Sequence, residues 1–152
     1  MTEDNSQLQY RRLTHADLDA VHALELQCFT APWSREAFVS EFNAPHRAIY
    51  YGALFNNTLL AYGGYWLVLD EAHITNIAVH RQARRQGIGL GLMRILEADA
   101  AQRQVALLTL EVRRSNLAAQ SLYGGLGYKQ VGIRKRYYPD NAEDALIFTK
   151  EL

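Results

Sequence analysis

Residues 77–93 read IAVHRQARRQGIGLGLM, and this stretch decides the fold more than any other part of the chain. Ile77, Ala78 and Val79 form an unbroken apolar run, which is typical of a strand buried on both faces. An arginine-rich turn with two glycines follows. Apolar residues then recur at roughly helical spacing, and they predict a helix from about Gly87 to Ala101. The stretch therefore predicts a strand, a basic turn and a helix in direct succession.

The basic turn has the features of a pyrophosphate site. Glycine lets the backbone approach a ligand, and a helix N-terminus offers unpaired N–H groups with a partial positive charge. The pattern Arg84-x-x-Gly87-x-Gly89 is neither a GxGxxG fingerprint, because Leu92 replaces the third glycine, nor a P-loop. A surface turn that happens to be rich in arginine remains the alternative interpretation.

Length and composition bound the class of protein. A chain of 152 residues with 49% hydrophobic residues and three prolines predicts one globular domain over residues 1–152, with residues 1–7 as a flexible tail. Cys28 is the single cysteine, which excludes an intrachain disulfide and a cysteine metal cluster. The five histidines show no metal-ligand spacing, so no metal is expected. Without a signal peptide or a long apolar run, we expect a cytoplasmic protein that does not bind membranes.

The formal net charge of zero conceals two oppositely charged halves. Residues 1–80 contain four basic and nine acidic residues, whereas residues 81–152 contain twelve basic and seven acidic residues. The second half suits an anionic ligand such as a nucleotide, and the first could suit a cationic partner. The run Arg134-Lys135-Arg136 is too short to predict direct nucleic-acid binding.

The order of predicted elements is βααβββαβαββ. Strands are expected at residues 8–13, 48–55, 59–69, 73–79, 106–112, 128–137 and 145–149. Thr14, Ser34 and Asn116 are placed to cap helices, and Asn56-Asn57 is a hairpin turn signal. This order predicts an α+β fold with a mixed central sheet of about seven strands, flanked by about four helices.

Glu111 and Tyr123 form a second group of interest. An acid between Leu110 and Val112 is unusual in a core strand, and burial there would raise its pKa towards that of a general base. A Glu at the strand edge, paired with Arg113 or Arg134, is the alternative. A half-buried Tyr123 is likewise common on a helix. The pair becomes informative only with the resemblance described next, which implies acyl transfer from a thioester to an amine. That reaction needs one group to take a proton from the amine and another to protonate the thiolate.

The chain resembles the GNAT superfamily of N-acetyltransferases, whose coenzyme A loop follows the pattern Gln/Arg-x-x-Gly-x-Gly/Ala. More narrowly, it resembles the ribosomal-protein-alanine N-acetyltransferases, the RimI-like group. The matching segments run from about Leu8 to Lys150 and include APWS (31–34), DEA (70–72), NIAV (76–79), RQGIG (85–89), LEVR (110–113), SN (115–116), LY (122–123), LGY (126–128), YY (137–138) and EDA (143–145). Departures are mild: Gly124-Gly125 replaces bulkier residues, Tyr128 stands where Phe is commoner, and Ala83 replaces a frequent aromatic.

The resemblance implies roles for these residues. Glu111 would be the general base, acting directly or through water, and Tyr123 the general acid. Acetyl-CoA would be the co-substrate, with no metal, and acetyl would pass directly to the amine in a ternary complex. The residues implied to bind it are Ile77, Ala78, Val79, Arg84, Arg85, Gln86, Gly87, Ile88, Gly89, Leu90 and Asn116, although helix capping alone would explain Asn116.

The implied substrate is the N-terminal alanine of a small-subunit ribosomal protein. Trp33, Tyr137 and Tyr138 are the expected walls of its slot, and Asp140, Glu143 and Asp144 could receive a basic peptide or simply form a solvated loop. Three alternatives remain open from the sequence: an acetyltransferase for lysine side chains or small amines, a silent acyl-CoA-binding module, and a protein that binds another nucleotide.

Overall fold

The computed structural model describes residues 8–152; the tail expected at residues 1–7 lies outside the described part. The seven strands are β1 Leu8–Arg12, β2 Ala48–Phe55, β3 Thr58–Val68, β4 Glu71–Val79, β5 Leu107–Arg113, β6 Lys129–Arg134 and β7 Ala145–Glu151. The four α-helices are α1 Leu18–Cys28, α2 Arg35–Phe42, α3 Ile88–Gln102 and α4 Leu117–Gly125. The predicted element order and the α+β class are both confirmed.

All seven strands form one mixed sheet in the order β1-β2-β3-β4-β5-β7-β6. β4 and β5 are parallel neighbours, and every other pair is antiparallel. Asn56 and Asn57 both have positive φ at the β2–β3 turn, as a tight hairpin requires. The predicted hairpin signal is therefore confirmed.

The predicted caps all form. Thr14 and Asp17 make a capping box at the short 3₁₀ turn that leads into α1. The Ser34 hydroxyl accepts from Ala37 N at 3.1 Å, and the Asn116 side chain accepts from Ala119 N at 3.0 Å. Each side chain satisfies an N–H group that the first helical turn leaves unpaired, so these helix starts are determined locally.

The helices cover both faces of the sheet. On one face, α1 and α2 pack through Phe38 against the rings of Tyr50 and Tyr62. On the other face, Met93 and Leu96 of α3 pack with Tyr123 of α4 in a second apolar cluster. Because helices cover both faces, polar groups of the sheet can contact a ligand only at the ends of strands or where the sheet is interrupted.

One interruption lies in the middle of the sheet. β4 pairs with β5 only from Glu71 to His73, opposite Leu107 to Thr109. Beyond these pairs, Thr75 is an extra residue in β4, since Gly64 pairs with Asn76 while Tyr65 pairs with Ile74. Such a bulge bends a strand away from its neighbour. The last residues of β4 and β5 consequently border an opening in the sheet, which we call the gap.

Strand β6 is shorter than the sequence predicted. The prediction ran to Tyr137, but β6 ends at Arg134. Arg136 has a φ of 52°, in the left-handed region, and its N–H donates to Asp144 Oδ1 at 3.0 Å. This turn, held by a partner distant in sequence, places Tyr137 and Tyr138 outside the strand.

Candidate active site

The backbone of β4 faces the gap at alternate residues. His80 N donates to Leu60 O in β3, so by strand alternation Ala78 also directs its backbone groups to β3. Ile77 and Val79 direct theirs towards the gap. The backbone N–H and C=O of Ala78 face β3, so Ile77 and Val79 are the residues of this segment placed to pair with a ligand; the binding role of residues 77–79 remains a prediction.

The Val79 carbonyl is already engaged. Arg84 Nε donates to it at 3.0 Å, and Cys28 Sγ at 3.4 Å. Arg84 thus braces the turn against the strand in this structure. Among the gap-facing backbone groups, the N–H of Val79 and both polar groups of Ile77 remain for a strand-like ligand.

The basic turn presents an anion site at the start of α3. Gly87 has a φ of 80° and precedes the helix, and a Cβ built there would meet no atom within 4 Å. The first hydrogen bond of the helix is Gly91 N to Gly87 O, so the N–H groups of Ile88, Gly89 and Leu90 have no intrahelical acceptor. No acidic residue lies in the first turn. These features fit a pyrophosphate.

The residues of the turn differ in their exposure to solvent. Arg84, Arg85, Gln86 and Gly87 are exposed, whereas the side chain of Ile88 is buried in an apolar cluster. Ile88 can therefore contribute only its backbone N–H to an anion. Asn116 caps α4 through its oxygen, which leaves its amide nitrogen for any ligand contact.

Glu111 lies on β5 at the edge of the gap, with its side chain 11% exposed. His73 Nε2 is 2.7 Å from Oε1, and Arg134 Nε is 3.6 Å from Oε2. Burial raises the pKa of Glu111, but the hydrogen bond with His73 and the charge of Arg134 oppose it and leave the pKa below its ordinary value. The predicted rise of this pKa is wrong: the pairing with Arg134 that the sequence left open is present, and His73 is a second partner that the sequence did not indicate.

His73 is the residue that the sequence analysis missed. It is the last residue of β4 that pairs with β5, and its ring meets Trp66 edge-on at 5.7 Å between centroids. Its neighbours Ala72 and Ile74 point into the α3–α4 core, so His73 points to the opposite face, as Glu111 does between Leu110 and Val112. The period-two pattern of both strands was a signal that could have paired them.

Tyr123 is buried on α4, and its ring packs against Tyr128 at 5.8 Å. Burial, with a smaller effect from Tyr138, raises the pKa of Tyr123 to about 12. Its hydroxyl hydrogen-bonds to no other group within residues 8–152. A protonated phenol with no partner in the described structure is suited to donate a hydrogen to a ligand atom.

Two loops approach each other beside Glu111. Trp33, in the α1–α2 loop, packs on Phe38 at 5.4 Å and on Trp66 at 6.4 Å, while Thr30 Oγ1 donates to Asp140 Oδ2 at 3.1 Å. That bond joins the loop to the β6–β7 connection, which carries Tyr137 and Tyr138. The loops that carry the expected walls of a substrate slot are therefore joined, although Trp33 also serves as core beneath its loop.

Within that connection, Tyr137 is 45% exposed and Tyr138 is half-buried. Their rings meet edge-on at 5.0 Å, and the Arg113 guanidinium lies 3.9 Å from the Tyr138 ring centroid. This cation–π contact fixes Tyr138 at the side of the gap. Tyr137 stays free to contact a ligand.

The three acids of this connection are occupied internally. Asp140 and Glu143 both contact Arg113, Glu143 accepts from Ser115 N, and Asp144 contacts Arg114. They stabilise the connection as a folded unit. The structure favours this role over the reception of a basic peptide, which was one of the two interpretations left open by the sequence.

Two further observations concern ligands and membranes. Across residues 8–152, His, Cys, Asp and Glu side chains do not assemble in groups of three or more that could hold a metal ion. In the same part of the chain, none of the helices has both the length and the apolar character needed to cross a membrane. The metal-free reaction remains a prediction.

Comparison with known proteins places this geometry in a family. The profile described as the Acetyltransferase (GNAT) family matches residues 18–128. The ribosomal protein bS18-alanine N-acetyltransferase of Escherichia coli K12 is 40% identical over 137 residues, covering 89% of this chain and 91% of that protein. The N-alpha-acetyltransferase RimI of Mycobacterium tuberculosis is 35% identical, covering 99% and 97%.

A solved structure agrees with these relatives. The crystal structure of the ribosomal-protein-S18-alanine N-acetyltransferase from Escherichia coli matches with a TM-score of 0.89 and 37% identity, covering 95% of this chain and 94% of that one.

Proposed function

The chain belongs to the GNAT family of acetyltransferases, and from that membership we propose that it acetylates the N-terminal alanine of a small-subunit ribosomal protein. The observation that carries the proposal is the 40% identity to the Escherichia coli bS18-alanine enzyme over 89% of this chain. The aligned region covers 89% of this chain and 91% of that protein. The alternatives of a silent acyl-CoA module and of another nucleotide lose their support.

GNAT acetyltransferases use acetyl-CoA, which supplies a thioester carbonyl to the reaction. The residues of this chain fit such a molecule: unpaired N–H groups of Ile88, Gly89 and Leu90 for the pyrophosphate, with Arg85 and Gln86 exposed beside them. Ile77 and the N–H of Val79 would pair with the pantetheine arm as an added strand would. Asn116 would add a contact through its amide nitrogen.

Glu111 and Tyr123 would do the proton chemistry in the gap. The ionised carboxylate of Glu111 favours the entry of an ammonium group and takes part in its deprotonation, directly or through water. Tyr123 remains protonated at neutral pH because its pKa is about 12, and its hydroxyl would protonate the departing thiolate. Acetyl would pass directly to the amine, with no acetyl-enzyme.

An N-terminal amine suits this site for two reasons. Its ordinary pKa near 8 lies below the value of about 10.4 for lysine, so it loses a proton more easily at neutral pH. The Thr30–Asp140 bond joins the Trp33 loop to the β6–β7 connection, and a slot between them would favour a chain end over a side chain within a peptide. Alanine would place one methyl group against the aromatic walls.

The test uses two peptides and mass spectrometry. The purified protein is incubated with acetyl-CoA and either a peptide that begins with free alanine followed by basic residues, or an N-blocked peptide with an internal lysine. We expect acetyl only on the α-amine of the first peptide. Transfer to the lysine peptide alone would overturn the substrate, and transfer to neither would overturn the proposed activity on peptides.

A further inference from the structure

We propose that His73 is a catalytic residue of this site: Glu111 orients its imidazole, and Nδ1 accepts the proton that the substrate amine loses. The inference rests on the proposed function, because it assigns the base within the same acetyl transfer. It also changes the role of Glu111 from a base acting alone to the anionic partner of an imidazole.

The geometry fixes which ring nitrogen carries hydrogen. His73 Nε2 is 2.7 Å from Glu111 Oε1. Glu111 is ionised at neutral pH, since its pKa is lowered, and an ionised carboxylate can only accept. Nε2 must therefore be the donor. Nδ1 then holds the free lone pair of the neutral ring, and it has no hydrogen-bond partner within residues 8–152.

Burial places the imidazole in front of the carboxylate. The His73 side chain is 30% exposed, against 11% for Glu111. Trp66 holds the ring on one side, at an interplanar angle of 84°, and the gap begins immediately after His73. Of the two groups, the imidazole is therefore the more accessible to a ligand amine.

Proton affinity favours the same assignment. An ordinary α-ammonium has a pKa near 8, and an ordinary carboxyl near 4.3, so proton transfer between them is unfavourable by a factor of about 10⁴. Interactions that lower the pKa of Glu111 make the carboxylate a still weaker base. The lone pair of a neutral imidazole is a stronger base than a carboxylate, so it is the better acceptor of the ammonium proton. A buried carboxylate behind the ring also stabilises the imidazolium that forms.

The charged and titratable surroundings are few. From β5 the imidazole is faced by Glu111, and from β6 Arg134 contacts the other oxygen of that carboxylate. Tyr137 and Tyr138, from the β6–β7 connection, are close enough to Glu111 for its charge to raise their pKa values. On the β3 side Trp66 donates to Glu41 of α2 at 2.6 Å, which places a second carboxylate behind the indole.

The proton count closes without a co-reactant. The first ammonium proton passes to Nδ1 of His73, directly or through one water, and the nitrogen lone pair forms the C–N bond to the acetyl carbon. The C–S bond breaks as Tyr123 gives its proton to sulfur. The second proton of the former ammonium returns to the Tyr123 oxygen through water, and His73 releases one proton to solvent.

The decisive variant is His73→Gln. The glutamine amide keeps an N–H donor for Glu111 but has no nitrogen that takes up a proton near neutral pH. We expect kcat to fall about 10²-fold, with the KM for acetyl-CoA unchanged. The decline of kcat on the acid side that protonation of an imidazole base would cause should disappear. His46→Gln, at an exposed position, is the matched control. A wild-type kcat and pH profile in His73→Gln would overturn the proposal.

A spectroscopic readout needs no substrate. Nitrogen NMR of ¹⁵N-labelled protein, with the His73 signals assigned by their loss in His73→Gln, should show hydrogen on Nε2 throughout the titration and proton uptake at Nδ1. Hydrogen on Nδ1 in the neutral ring would overturn the inference. If the wild type fails to acetylate the alanine peptide, the substrate proposal fails, while these spectra still decide the role of His73.

Discussion

Glu25 and Glu111 are both withdrawn from solvent on the α1–α2 side of the sheet, yet their environments are opposite. Glu25, on α1, is 1% exposed and accepts from three neutral donors: the Tyr62 hydroxyl, the Trp33 N–H at 2.9 Å and the Asn76 amide at 3.3 Å. Glu111 lies at the gap and meets His73 and Arg134, which are cations or potential cations.

The pKa values follow this difference. Burial raises the pKa of Glu25, and its hydrogen bonds oppose that rise without cancelling it. At Glu111 the imidazole and the guanidinium outweigh burial, and the pKa falls below its ordinary value. Burial alone therefore does not set the direction in which the pKa of a carboxyl shifts. The charge of the neighbouring groups decides it. The buried carboxylate of Glu25 joins α1 to its neighbours, whereas that of Glu111 borders the proposed ligand site.

The largest effect that tests this contrast is Glu111→Gln on activity. Gln removes the anionic partner of the imidazole, so we expect kcat for an alanine peptide to fall roughly 10²- to 10³-fold. Unfolding by denaturant should change little, because Gln keeps the size and an acceptor. Steady-state kinetics measures the effect, and Glu36→Gln, exposed on α2, is the control. An unchanged kcat would remove Glu111 from the mechanism.

Glu25→Ala should lower the stability of the protein, in contrast to Glu111→Gln, which should mainly lower its activity. The change leaves the Tyr62 hydroxyl, the Trp33 N–H and the Asn76 amide without their common acceptor. Each buried group left unpaired costs about 1–3 kcal/mol, so we expect the free energy of unfolding to fall by about 3 kcal/mol. Denaturant titration followed by tryptophan fluorescence measures it. A loss below about 1 kcal/mol would mean that these donors find other acceptors.

Two tyrosines sharpen the comparison further. The Tyr123 hydroxyl has no protein partner in the described structure, so Tyr123→Phe should leave stability unchanged and lower kcat by roughly 10- to 100-fold while sparing acetyl-CoA affinity. Tyr62→Phe removes a donor to Glu25 and should lower stability by about 1 kcal/mol instead. Steady-state kinetics measures kcat, and denaturant titration measures the free energy of unfolding, for both variants. An unstable but fully active Tyr123→Phe would reverse the assignment.

The smallest expected effect is on the pH dependence of stability, to which Glu111 and Glu25 should contribute with opposite signs. The lowered pKa of Glu111 makes a contribution to stability that is present above the unfolded pKa near 4.3 and is lost in more acid solution. The raised pKa of Glu25 makes a contribution that is complete below that value and is lost as pH rises through the folded pKa. Acidification from pH 7 to 4 should therefore destabilise the wild type relative to Glu111→Gln, and stabilise it relative to Glu25→Gln. Thermal unfolding at each pH measures both differences. The same sign in both would contradict the assigned shifts.

The parts of the fold that depend on neighbours in sequence could be predicted. Thr14, Ser34 and Asn116 cap their helices through residues two or three positions away, and the Asn56-Asn57 turn needs only its own two residues. The strand–turn–helix of residues 77–93 also formed as expected. The end of β6 could not be predicted, because Arg136 is held by Asp144 through a loop closure that the sequence pattern does not encode.

The site divides in the same way. The types of residue at Glu111 and Tyr123 suggested acyl transfer, but the pKa direction of Glu111 depends on His73, 38 positions away in sequence. The contact between His73 and Glu111 forms where the parallel pairing of β4 with β5 stops. That pairing lasts for three residue pairs and ends at His73, after which the strands separate. That separation follows from the bulge at Thr75. A polar residue in a strand does not by itself predict a bulge, so nothing in the sequence indicated it. The roles of the cofactor-binding residues remain proposals.

Amide hydrogen exchange with and without coenzyme A tests most directly whether the cofactor lies along β4 and on the α3 N-terminus, because one sample compares the gap with the buried surroundings of Glu25. We expect coenzyme A to slow exchange at the amides of Ile77, Val79, Ile88, Gly89 and Leu90. The Trp33 amide, already bonded to Glu25, should not change. Protection that spares the gap and the turn, or that appears only elsewhere, would contradict this account of the site.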